Sequence, residues 1–124
     1  MRELLFGRGL VAIAGLLGAA GVASAAGASH GEAGRLLGSI ATIALAHAPV
    51  LLVLGLLSPR GRALRSGAVV LAAGTLLFVV DLATRQWMGQ GLFPGAAPIG
   101  GGLMVLGWLA VALAAVFRTS FNFR

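Results

Sequence analysis

The sequence has no cysteine, no lysine and no tyrosine, and only three of its residues are acidic. The missing cysteine excludes disulfides, thiolate metal sites and cysteine nucleophiles. Charged residues make up 10% of the chain, against roughly a quarter in a soluble domain. So little charge does not cover a water-exposed surface. Period-two alternation is also lacking, and the apolar runs are poor in β-branched and aromatic residues, which argues against strands and barrels.

What is present is apolar and small. Hydrophobic residues account for 59% of the chain, and 20 of its 124 residues are glycine. Small residues suit a membrane, where they let helices approach closely. A spanning helix needs about 20 mainly apolar residues, and four segments qualify: about residues 10–28, 36–58, 67–87 and 99–117. The fold class expected is therefore all-α, an integral membrane bundle of four transmembrane helices forming one domain over residues 1–124. Residues 89–98 read as a loop, because Gly89, Gly91, Pro94, Gly95 and Pro98 do not sustain a helix.

The first segment has a competing reading. Arg2 and Arg8, the apolar stretch that follows, and Ala23-Ser24-Ala25 together look like a signal peptide with a small-residue cleavage site. Retention is the expectation, because this glycine-rich helix is well suited to packing.

The formal charge of +6 is carried entirely by arginine. Its position beside apolar spans points to membrane orientation rather than to nucleic acid. With a cytoplasmic N-terminus, Arg2, Arg8, Arg60, Arg62, Arg65, Arg118 and Arg124 lie inside and only Arg35 and Arg85 outside. That distribution places both termini in the cytoplasm. Helices one to three are expected to be antiparallel neighbours, because their connections are short. Two small-residue seams mark packing faces: Ala14, Gly18, Gly21, Ala25 and Ala28 on helix one, and Gly100, Leu103, Gly107, Ala110 and Ala114 on helix four.

Asp81 is the most informative residue. A carboxylate inside a span is costly and must face protein and a partner. Arg85 lies one helical turn later, where an ion pair forms, and Gly67, Leu71, Gly74 and Phe78 share the stripe. Two readings are open: a proton or cation site, or a structural Asp81–Arg85 clasp near the interface with Arg85 snorkelling to the headgroups. The clasp is favoured. His47 sits near the middle of helix two, with Pro49 removing the backbone bond to the Leu45 carbonyl. It is open to titration, to ligation, or to a hydrogen bond with Asp81; a structural hydrogen bond to a neighbouring helix is favoured. Gly38, Ala41 and Ala48 point to a different side of that helix. His30 and Glu32 make only a weak metal pair, and His30 lies about 25 Å along a helix from His47, too far to share one iron. Nothing in the sequence recommends an enzyme, and no cofactor or metal is implied.

Four stretches carry a family resemblance. They are Gly27-Ala28-Ser29-His30-Gly31 after the glycine-rich first helix, His47-Ala48 opening a leucine run, and Leu77-Phe78 followed by Asp81-Leu82. The last is Ala97-Pro98-Ile99-Gly100-Gly101 with Gly107-Trp108 after it. Together they resemble the domain-of-unknown-function 423 family, the YgdD- and transmembrane protein 256-like small membrane proteins. Pro98, Gly100, Gly101, Gly107 and Trp108 form the most specific part. Val79 and Val80 stand where the family pattern has a small Ser-Gly pair, implying a looser or shifted helix contact; Pro49 and Ser29 also depart from it. The resemblance implies four spans, residence in a bacterial inner membrane and retention of the first helix, but no reaction.

The leading expectation is a non-enzymatic membrane protein that packs against lipid, a larger membrane complex or further copies of itself. The alternative is a small oligomeric transporter or proton or cation pathway using Asp81 and His47. A haem- or metal-binding electron carrier is a third.

Overall fold

The computed structural model of the chain describes residues 1–30, 34–57 and 61–116. Expectations for Gly31, Glu32, Ser58, Pro59, Arg60, Phe117, Arg118 and Arg124 fall outside the described residues. The fold is all-α, with helices α1 (Arg2–Ala28), α2 (Gly34–Leu57), α3 (Arg62–Met88) and α4 (Ala96–Val116). Each is long and apolar enough to cross a membrane, and the chain is a multi-pass membrane protein.

All four helices begin earlier than their apolar content suggests, α2 by only two residues. Arginine is a good helix former, so α1 and α3 continue through the charged residues at their starts. A helix of 27 residues reaches about 40 Å, longer than the roughly 30 Å of hydrocarbon. Their basic ends therefore stand in the headgroup region. There Arg65 of α3 lies 4.0 Å from Glu3 of α1, and its guanidinium covers the Phe6 ring at 4.4 Å.

Helix α4 likewise starts at Ala96, which shortens the expected loop of residues 89–98. Gly89 closes α3 in the left-handed conformation, φ +79°, with its N–H donating to the Arg85 carbonyl. Gly95, φ +88°, accepts from the Ile99 N–H at 3.0 Å as α4 begins. Pro98 is compatible with the helix because N–H groups of a first turn have no intrahelical acceptor.

The helices form two close hairpins, α1 with α2 and α3 with α4, which meet mainly along α2 and α3. Leu51, Leu64, Leu71 and Thr75 are fully enclosed at the centre, the hydroxyl of Thr75 donating to the Leu71 carbonyl of its own helix. In α3–α4 the backbones touch at glycine. A Cβ on Gly74 would stand 2.7 Å from the Gly100 carbonyl oxygen and 2.8 Å from Leu103 Cβ; one on Gly107 would stand 2.9 Å from Leu71 Cβ. Gly67 meets Ala110 in the same line. Lipid is as apolar as leucine, so this contact is held by dispersion between closely fitted atoms.

The seam on helix four is on this face: Gly100, Gly107 and Ala114 are buried, Leu103 and Ala110 half-buried. On α1, Ala14 and Gly21 are buried and Gly18 and Ala28 half-buried, but Ala25 is exposed and Ser24 is buried in its place. The buried line of α1 runs Leu10, Ala14, Leu17, Gly21 and Ser24, with the steps of four and three in the opposite order from Ala14 onward, so the face is centred on the other side of Ala14 and Gly21.

Gly74→Leu is expected to destabilise the protein by about 1–3 kcal/mol through overpacking. Gly101→Ala, with open space around its added methyl, is expected to stay within about 0.5 kcal/mol of the parent. Equilibrium unfolding in mixed micelles measures both.

Candidate functional site

Asp81 stands seven residues before the end of α3, about 10 Å in from that end, and its side chain has no exposed surface. Both carboxylate oxygens are engaged. Arg85 Nε donates to Oδ2 at 2.9 Å, and the backbone N–H of Leu92 donates to Oδ1 at 2.8 Å. Asp81 is thus more than one half of a clasp with Arg85. It ties the end of α3 to the connection that leads into α4. Thr84 Oγ1 donates to the Asp81 carbonyl at 2.8 Å. The Arg85 side chain is 42% exposed, as expected of a group extending to headgroups.

Gly91 closes the arrangement. A Cβ there would collide with Asp81 Oδ1 and stand 2.9 Å from Arg85 Nη2. Sequence reading treated Gly91 only as a helix breaker, and Leu92 gave no signal because its contribution is a backbone N–H.

His47 is buried at the middle of α2. Trp108 Nε1 of α4 donates to His47 Nε2 at 3.1 Å, and the rings meet edge to face with centroids 5.9 Å apart. Indole N–H is a donor only, so Nε2 is the acceptor and Nδ1 carries the proton. Nδ1–H donates to the Ile43 carbonyl at 2.8 Å. The imidazole is neutral, with both nitrogens engaged. The expected alternative partner, Asp81, is not the one used. His47 lies thirteen residues from the start of α2, about 20 Å deep, roughly twice the depth of Asp81. Trp108, twelve residues into α4 and thus about 18 Å deep, matches it. Two polar groups on apolar helices, one donor-only and one able to accept, were the available clue to this pair.

The remaining family-motif residues divide. Pro98 is exposed, and Gly100 and Gly107 form the α3–α4 contact. Gly101 is half-buried with nothing near its missing side chain. Val79 lines an apolar cavity of about 250 Å³ between α1, α2 and α3, together with Ala23, Ser24 and Ala83; Val80 faces outward. His30 is exposed, and among the described residues no group of three or more His, Asp or Glu is placed to hold a metal.

A family model described as a protein of unknown function, DUF423, matches residues 14–101. The chain belongs to the DUF423 family. No solved structure matches it. The DUF423 match takes in His47, Asp81, Arg85 and Gly91 and ends at Gly101. Trp108, the donor to His47, lies beyond the residues matched to DUF423.

Two outcomes are expected. Asp81→Ala should speed amide hydrogen exchange across residues 89–93 more than Arg85→Ala does, because only the first change also releases the Leu92 N–H. Equal exchange in the two variants would contradict this role for Leu92. A double-mutant cycle of His47→Ala with Trp108→Phe should give a coupling of about 0.6 kcal/mol, the usual size of a hydrogen bond between membrane helices.

Proposed function

We propose that this DUF423 chain is a non-enzymatic accessory protein of the bacterial inner membrane, acting by packing against lipid or a larger membrane complex. The observation that carries this reading is the full use of the two ionisable side chains buried among the described residues. Asp81 is held by Arg85 and Leu92, and His47 by Ile43 and Trp108. A transported ion needs a group that can exchange partners and a wet path to reach it; here both groups tie helices together. In this reading Asp81 and His47 fix a rigid shape, and the outward apolar faces are the working surface.

Both termini are assigned to the cytoplasm. Arg2, Arg8, Arg62 and Arg65 gather at the end of the bundle formed by the starts of α1 and α3, while Arg35 and Arg85 stand at the other end. The positive-inside tendency favours this orientation. Since the chain has no cysteine, an introduced thiol is its only one. A membrane-impermeant maleimide applied to spheroplasts is expected to label Ser29→Cys and to leave Ser66→Cys untouched; the reverse pattern would invert the topology.

Extraction in mild detergent followed by native mass spectrometry tests the role itself. A stoichiometric protein or lipid partner is expected. In proteoliposomes, Asp81→Asn and the parent should carry equal proton and cation fluxes. A flux in the parent that vanishes in a folded Asp81→Asn variant would replace this reading with the transporter.

A further inference from the structure

At the basic end of the first hairpin, α1 and α2 leave a groove of about 560 Å³, lined by Leu4, Gly7, Arg8, Val11 and Ala12 of α1 and by Gly55 and Leu56 of α2. Its floor is a close approach of the two backbones: a Cβ on Gly55 would lie 2.9 Å from the Gly7 carbonyl oxygen. Apart from Arg8, every lining side chain is apolar or absent. We propose that this groove binds one anionic membrane lipid, its phosphate on Arg8 and an acyl chain along Val11, Ala12 and Leu56.

Charge and direction together select this occupant. Arg8 is exposed and, among the described residues, makes no ion pair. The acidic residue at this end is Glu3, and it faces Arg65. Among the described residues, none supplies a negative complement to Arg8. Helical side chains lean toward the N-terminus, so Arg8 reaches past Leu4 toward the headgroups, while Val11 and Ala12 lie one turn deeper. A charged site at the surface that continues into an apolar trough fits an amphiphile. A free phosphate would leave the trough unused.

The inference rests on the lipid-packing reading above, and it is tested with defined lipids. Delipidated protein in detergent is titrated with phosphatidylglycerol or phosphatidylethanolamine of identical acyl chains and followed by native mass spectrometry. One phosphatidylglycerol is expected to bind more tightly than phosphatidylethanolamine. Arg8→Gln should weaken the anionic lipid about fivefold, the effect of one basic residue near an anionic headgroup, and Arg8→Lys should restore most of it. Ala12→Leu, which changes an exposed position and keeps the charge, should lower binding of phosphatidylglycerol by filling the trough.

Equal affinity for the two lipids, or an Arg8→Gln variant that binds like the parent, overturns the proposal. So does displacement of the lipid by inorganic phosphate at millimolar concentration, which would assign Arg8 to a headgroup-only site. Lipid selectivity in a protein that also shows Asp81-dependent flux would remove the accessory reading and leave this site standing. A protein partner without lipid selectivity would do the opposite.

Discussion

Within hydrocarbon a polar group has no water to fall back on, and each one must be satisfied by the protein around it. Asp81 meets that demand with an arginine on its own helix and a backbone N–H from the next connection. The second of these fixes where the connection runs, and so where α4 can begin. Once α4 begins at Ala96, its rise places Gly100 against Gly74 and Trp108 at the depth of His47. The position of one buried carboxylate thus sets the register of the whole second hairpin.

The two hairpins use different means to the same end. In α3–α4 the helices approach until glycine backbones touch, and the contact is made of many weak dispersion terms. In α1–α2 glycine also permits close approach, at Gly21 against Ala44 and Leu45 and at Gly55 against Gly7, with Leu10 and Leu17 filling the remainder. Between the hairpins the fit is less tight. The cavity beside Val79 lies there, and elsewhere the His47–Trp108 bond supplies a directional tie between α2 and α4 that packing alone does not.

Much of this was legible in the sequence, for physical reasons that can be named. Four apolar runs separated by Gly, Pro and Arg suffice to place four spanning helices, because a bilayer admits few other backbones. Asp81 and Arg85 at a spacing of four on one helix made the ion pair readable. Partners contributed by the backbone were not readable: the Leu92 N–H is common to almost every residue type, and its role depends on the turn that aims it. Nor was the His47–Trp108 pair, since depth in the membrane depends on where each helix begins, and the start of α4 was misplaced by treating Pro98 as a breaker. Proline in a first turn is compatible with a helix, and that one distinction shifts the register by most of a turn.

The hairpin arrangement also bears on how the molecule is made. Most helix–helix contacts join segments adjacent in the chain, so little of the structure waits for distant residues to find one another. Helices α1 and α2 hold all the partners for their own close contact before α3 has been synthesised. The second hairpin is likewise complete in itself, clasped at Asp81 and Leu92. The α2–α3 contact and the Trp108–His47 bond are what join the two pairs to each other.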